Sequence, residues 1–294
     1  MSLNKNDENF AMPDAKTSGA VYRKISILGK DSSPIRFLGR EIQIAHTGKT
    51  GSTMADSRVF GALPENHPWH APTGSIASAA FQSQGRGRIE GRIWNSSEGE
   101  NLLCTAILRI QDLPLRSTNA FTLKIGLAIA ETFDHFLPEG AQTRIKWPND
   151  VLFEGKKLCG ILCESDGKTI YAGTGFNISQ TDFSPPLNEK ASSLAIILNS
   201  LAQRDKTHPA IPRPFDLLAI YLGRLEHTLT REDWREQIEA RLFRKGEETA
   251  FLQGNPEQGI PMKGVIEGIG MSGELLFRDN TGKMHTLVSG EFTL

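Results

Sequence analysis

Between Gln82 and Trp94 the chain reads Gln-Ser-Gln-Gly-Arg-Gly-Arg-Ile-Glu-Gly-Arg-Ile-Trp, which sets Gly85, Gly87 and Gly91 among Arg86, Arg88 and Arg92. Guanidiniums are permanently charged, forked donors that match carboxylate and phosphate oxygens, and glycines let a backbone come close to a ligand. We read the loop as an anion grip. A basic Gly-Arg run can also be a solvated loop or a nucleic-acid contact. The dinucleotide-binding fingerprint is excluded, because its third glycine would stand one residue earlier and Ile93-Trp94-Asn95-Ser96-Ser97 does not open a helix. A phosphate loop at Gly48-Lys49-Thr50 fails as well: the glycine it needs at position 43 is Gln43.

A second stretch, Lys146-Trp147-Pro148-Asn149-Asp150, precedes Lys156-Lys157-Leu158-Cys159-Gly160-Ile161-Leu162-Cys163-Glu164. Taken in this order, the two stretches resemble the signature of biotin protein ligases, in which Gly-Arg-Gly-Arg ending at a Trp precedes Lys-Trp-Pro-Asn-Asp and Lys-Leu-x-Gly-Ile-Leu-x-Glu. Thr174-Gly175-Phe176-Asn177 resembles the family's Gly-x-Gly-x-Asn, and Ala191-Ser192-Ser193-Leu194 its small-hydroxyl-Leu mark. The resemblance covers about residues 37–294. One residue more than usual separates Arg88 from Gly91, which leaves the placing of Arg92 less fixed than that of Arg86 and Arg88.

The resemblance implies a two-step reaction. Biotin and ATP give biotinyl-5′-AMP and pyrophosphate, and a lysine of a biotin carboxyl carrier domain then attacks the mixed anhydride. On this reading Ser52, Thr53 and Gln82 meet the ureido ring with neutral hydrogen bonds, while Met54 stands where the family commonly has Asn. Gly85, Arg86, Arg88, Lys157 and Gly160 surround the acid. Arg92, Trp94, Asn149, Lys157, Asn177 and Ser193 face the nucleotide. Arg86, Arg88 and Lys157 neutralise charge at the reacting centre. Asp150 either holds Mg2+ with phosphate oxygens or orients Lys157. The nearest rival is a lipoate or octanoate ligase, although its Arg-Arg-x-Ser-Gly-Gly-Gly pattern is missing here. A non-catalytic nucleic-acid module is the rival from another class, and here the aromatic interleaving is limited to Trp94.

Supporting elements follow from periodicity. Residues 1 to about 18 lack an apolar period and are expected to be disordered. Val21–Ile27 and Ile35–Leu38 are expected to pair as a hairpin. Glu41–Ile44 reads as a strand leading to a helix Met54–Ala62, for which Ser52 or Thr53 can serve as the N-cap. Ser75–Phe81 delivers Gln82 to the arginine loop, and Asn101–Ile110 is apolar enough for a buried strand. Ser117-Thr118-Asn119 matches the family's Ser-Thr-Asn in text but stands after the arginine loop. We read Ser117 or Thr118 as the cap of a helix marked by Phe121, Ile125, Ile129 and Phe133. Val151–Phe153 and Lys157–Glu164 flank a turn at Glu154-Gly155-Lys156. Phe215 to about Phe243 suggests one or two helices, and from Arg244 short β runs dominate.

The expected fold class is thus α+β: a mixed, largely antiparallel sheet with helices, similar to the class II synthetase and biotin ligase catalytic domain, plus a small C-terminal β-barrel. The division expected is an N-terminal extension at 1–36, a catalytic domain at 37–243 and the barrel at 244–294. Because only about 36 residues precede the catalytic region, the DNA-binding winged helix of some biotin ligases is expected to be absent.

Composition sets the remaining bounds. A net charge of −1 across 294 residues gives no general affinity for nucleic acid, which needs excess cations. Three cysteines without metal spacing argue against a disulfide framework, and seven scattered histidines form no evident metal cluster. Neither a membrane span nor a secretory core is visible, so a cytoplasmic enzyme is expected, with a homodimer left open.

Overall fold

The computed structural model describes residues 4–11, 20–27, 34–115, 118–205, 210–254 and 258–292. Its first element is a strand, β1 (Asn4–Ala11), followed by β2 (Val21–Ser26). Two short strands, β3 (Arg36–Phe37) and β4 (Arg40–Glu41), pair with each other ahead of β5 (Ile44–Thr50) and helix α1 (Thr53–Ala62). Strands β6 (Ser75–Gln82) and β7 (Leu102–Arg109) come next, then α2 (Phe121–Asp134). A four-strand run completes the large sheet: β8 (Arg144–Lys146), β9 (Asp150–Phe153), β10 (Lys156–Ser165) and β11 (Thr169–Phe176).

These strands form a nine-stranded sheet in the order β1-β2-β5-β6-β7-β11-β10-β9-β8. Every neighbouring pair is antiparallel except β5 and β6. The exception has a plain cause: α1 lies between those two strands as a crossover, and a crossover returns the chain in the same direction. Consequently the ends of β5 and β6 leave the sheet side by side, with Thr50 opposite Gln82. That edge is where the cavity forms.

Alternation along the central strands buries both faces. Leu102, Cys104, Ala106 and Leu108 join Ile125, Ile129 and Leu218 in the larger core, beneath α2 and α5 (Pro214–Thr230). Ile107 and Tyr171 face the opposite way, into a smaller core with Met54 and Phe60 of α1. Short α3 (Leu187–Lys190) and α4 (Leu194–Asp205) follow β11, and α6 (Trp234–Arg241) follows α5. The C-terminal part is a five-stranded sheet ordered β15-β14-β13-β12-β16, from β12 (Glu248–Gln253), β13 (Ile260–Ile269), β14 (Leu275–Asp279), β15 (Met284–Leu287) and β16 (Gly290–Phe292). Phe251 of this sheet packs on Trp147, with ring centroids 5.9 Å apart.

Several local expectations change. The N-terminal segment is not featureless: β1 forms the sheet edge beside β2, while residues 12–18 lie outside the described ones. The anticipated pairing of Val21–Ile27 with Ile35–Leu38 gives way to β2 between β1 and β5, because the larger sheet satisfies both of its backbone edges. The strand expected at Glu41–Ile44 starts at Ile44 and runs on through Thr50. At α2 the N-cap is Ala120, at φ 53° and without a side-chain cap, so Thr118 does not cap that helix, and Ser117 lies outside the described residues. The Glu154-Gly155 turn is formed as expected, with positive φ at both residues, as a tight hairpin requires.

Candidate active site

A cavity of about 280 Å³ opens at the joint ends of β5 and β6, bordered by the arginine loop, β10, β11 and the C-terminal β16. Its neutral end is built on α1 and β6. Ser52 occupies the N-cap position of α1 without a side-chain cap bond, so its hydroxyl is not committed to the helix. The Thr53 backbone N–H donates to Gln82 Oε1 at 2.7 Å, and Thr53 Oγ1 lies 3.1 Å from the same oxygen and 2.9 Å from Thr105 Oγ1. Met54 lines this end too, and its Cε methyl group fills the space left by Gly173.

The arginine loop is itself a small antiparallel ladder. Trp94 N–H donates to Gly85 O at 2.9 Å, Gly87 N–H to Arg92 O at 2.8 Å, and Arg86 bridges Ile93. The supernumerary residue is absorbed at the tip, where Arg92 N–H closes on Ile89 O at 3.1 Å and Gly91 takes φ 79°. Arg86, Arg88 and Arg92 all line the cavity despite the insertion. Trp94 lies across the strands: a Cβ at Gly160 would come within 2.8 Å of its ring and one at Gly175 within 2.5 Å. Only glycine at these two positions lets the indole reach the sheet.

Lys157 reaches the cavity through a bulge between Lys157 and Cys159, where Leu158 turns into the core and β10 shifts register against β9. Its amine sits 2.7 Å from Asp150 Oδ1 and 5.4 Å from the Trp94 ring centroid. Asn177 braces the strand from behind, donating from Nδ2 to Lys157 O at 3.3 Å and Ser192 O at 3.0 Å. Asn149 braces the same strand further along, donating to Ile161 O at 2.9 Å.

Two of the three guanidiniums are held by carboxylates. Arg86 meets Glu164 at 3.3 Å, and Arg92 makes a bidentate contact with Glu291, both N–O distances being 2.7 Å. Arg88 donates to the Gly290 carbonyl at 3.0 Å. Burial pulls the Arg88 pKa down, with Glu291 and Asp150 opposing. Burial likewise lowers the Lys146 ammonium, which lines the same cavity. For Glu291 burial pushes upward, but the hydrogen bond and charge of Arg92 outweigh it, so its carboxyl stays below the ordinary glutamate range.

A family model described as biotin/lipoate A/B protein ligase matches residues 63–177. The biotin–[acetyl-CoA-carboxylase] ligase of Paracoccus denitrificans is 31% identical over 244 residues, covering 80% of this chain and 94% of that protein. The chain belongs to the biotin protein ligase family. The bifunctional ligase/repressor BirA of Bacillus subtilis is 36% identical over 183 residues, or 59% of this chain, and the chain spans about half of that relative's length, 54%. The biotin protein ligase from Aquifex aeolicus in complex with biotin and ATP shares the fold, with a TM-score of 0.66 at 23% identity, over 85% of this chain and 97% of that one.

Within this ligase fold, Ser52, Thr53, Gln82, Arg86, Arg88, Arg92, Trp94, Asn149, Asp150, Lys157, Gly160 and Asn177 all line the one cavity. Gly85 stands just behind it, hydrogen-bonded through its carbonyl to Trp94. Ser193 stands apart: it is fully buried, and its Oγ accepts from the Ile196 N–H at 3.2 Å, capping α4. Lys146, Glu291 and Thr105 line the cavity as well and carried no role in the sequence reading: Lys146 stood inside a quoted motif, Glu291 among the short C-terminal β runs, and Thr105 gave no signal beyond a polar break in an apolar strand.

Proposed function

We propose that this chain activates biotin with ATP to biotinyl-5′-AMP and transfers the acyl group to a lysine of a biotin carboxyl carrier domain. The observation that carries the proposal is the placing of the Lys157 amine in the same cavity as three guanidiniums, opposite a neutral polar end. Relatives named as biotin ligases and a solved relative holding biotin and ATP support it. The catalytic unit is assigned to 37–243, with 244–294 as a smaller C-terminal unit that contributes Gly290 and Glu291.

In the first step a biotin carboxylate oxygen attacks the α-phosphorus of ATP, and the bond to pyrophosphate breaks. Two anions must meet, so the residues that matter most are those that cancel charge. Arg86, Arg88 and Lys157 converge on the reacting groups, while Arg92 and Lys146 take the departing pyrophosphate. Ser52, Thr53 and Gln82 bind the uncharged ureido ring, and Trp94 supplies a flat face for the adenine. In the second step the carrier lysine, as a free amine, attacks the acyl carbon. AMP leaves with the bonding pair, and the amine releases its proton.

Mg2+ would arrive with the triphosphate and neutralise its oxygens. It needs only one or two protein carboxylates besides phosphate, and Asp150 at the cavity wall fits that donor set. Among the described residues no group of three or more His, Cys, Asp or Glu forms a separate metal site. Nor is any helix among them long and apolar enough to cross a membrane.

Purified protein given biotin, MgATP and a carrier domain is expected to add biotin to a single lysine. Modification with lipoate or octanoate in place of biotin would overturn the choice of acid, and no pyrophosphate exchange with any acid would overturn the reaction.

A further inference from the structure

The neutral end of the cavity rests on a polar cluster that no step above uses. Asp56, in the first turn of α1, is fully shielded from solvent. Its Oδ2 accepts hydrogen bonds from the Tyr22 hydroxyl and, at 2.5 Å, from Thr50 Oγ1. Its Oδ1 is buried without a partner. Burial pushes the Asp56 carboxyl up, and it pushes the Tyr22 hydroxyl up further. A buried acid of this kind is costly, and apolar replacements of similar shape are often as stable or more so. Its presence is better explained by the geometry it enforces than by stability.

That geometry centres on one turn. Thr50 ends β5, Asp56 sits one helical turn into α1, and Ser52 and Thr53 lie between them. Thr50 is also in register with Gln82. Its carbonyl accepts from the Ser83 N–H at 2.9 Å, and the Gly51 carbonyl accepts from the Gln84 N–H at 2.9 Å. The carboxylate therefore ties both ends of the segment presenting Ser52 and Thr53, and sets its distance from Gln82. The body of α1 is held separately. Phe60 packs edge-on against Tyr22 at 5.1 Å and stacks on Trp69 at 5.8 Å, so docking of the helix does not need the carboxylate.

We infer that Asp56 is a positioning residue for the subsite that takes the neutral ring of the acid substrate, acting through Thr50 on the 50–53 turn and through Tyr22 on β2. The N-terminal strand β2, which lies before the residues matched by the family model, thereby becomes part of the binding site. This inference rests on the biotin reading above and adds to it a specificity device that touches no ligand.

Biotin-dependent pyrophosphate exchange by the full chain tests it, comparing wild type with Asp56→Ala, Asp56→Asn, Thr50→Val and Tyr22→Phe. Asp56→Ala is expected to raise the KM for biotin about tenfold or more while the KM for ATP stays within about twofold, since a lost buried hydrogen-bond pair is felt only where the turn is read. Asp56→Asn keeps an oxygen acceptor for both hydroxyls and is expected to recover most of the loss. Thr50→Val and Tyr22→Phe each remove one donor and are expected to raise the biotin KM by a few fold. They carry the test should Asp56→Ala fail to fold.

Equal rises in both KM values, an unchanged biotin KM, or an Asn variant no better than Ala would overturn the positioning role. Wild type inactive with biotin would instead overturn the biotin reading itself, together with the subsite this inference serves.

Discussion

The two ends of the cavity are built on opposite plans. At the neutral end, Thr53 hydrogen-bonds both Gln82 and Thr105 within 3.1 Å, and Thr53 and Thr105 are buried. At the charged end, Arg86 and Arg92 have side chains 60% and 53% exposed and are held by carboxylates alone. Exposed ion pairs of this sort contribute only about 0–1 kcal/mol, so they are readily exchanged. Neutral hydrogen bonds discriminate only when the donors and acceptors are already in place, whereas a polyanion can displace a carboxylate by offering more charge. One end is thus preformed and the other provisional.

The sharpest way to break this contrast is at Lys157, where the two ends meet. Lys157→Ala is expected to lower adenylate formation by about a hundredfold or more while the far-ultraviolet circular dichroism and Tm stay close to wild type. Adenylate formation at the wild-type rate would remove Lys157 from the chemistry. Next in size, Arg86→Ala is expected to weaken retention of the adenylate by roughly tenfold or more and of biotin itself much less, because only the adenylate carries the phosphate. Isothermal titration with each ligand separates the two, and equal losses would place Arg86 at the wrong end.

A smaller effect is expected from Glu291→Ala. It frees Arg92, so residues 85–93 should exchange their amide hydrogens faster in the free protein, and the difference should vanish when biotin and ATP are added. The pair also has a defined pH response. The folded Glu291 carboxyl lies below the ordinary range, so its contribution is complete above that range and is lost as pH falls through the lowered value. Smallest of all, moderate salt should loosen the arginine loop and leave the Thr53–Gln82–Thr105 contacts unaffected, since screening acts on exposed charges. Equal salt sensitivity at both ends would erase the distinction.

The site residues at both ends, Ser52, Thr53 and Gln82 included, were largely legible in the sequence, but the contacts that hold them in place were not, for a physical reason. Arg86, Arg88 and Arg92 fall within one contiguous run, and Asp150 and Lys157 follow in another, so spacing alone groups them. Thr53 meets Thr105 across 52 positions, and Glu291 meets Arg92 across 199, through sheet neighbours that no local pattern encodes. Asp56 was invisible for the same reason, because its partners come from β2 and the end of β5. The Ser117-Thr118-Asn119 text suggested a helix cap, yet α2 begins at Phe121 after a left-handed Ala120. Core helices such as α2 and α5 read well from their period, while the register of β2 depended on which sheet was available to receive it.

The added residue at the tip of the arginine loop has a practical corollary. Ile89, Glu90 and Gly91 form the turn at the end of the ladder, Glu90 is exposed, and a Cβ at Gly91 would meet nothing within 4 Å. A reporter dye attached through a cysteine introduced at position 90 would therefore ride on the turn without altering the separation of the guanidiniums. Its anisotropy would follow substrate capture in real time.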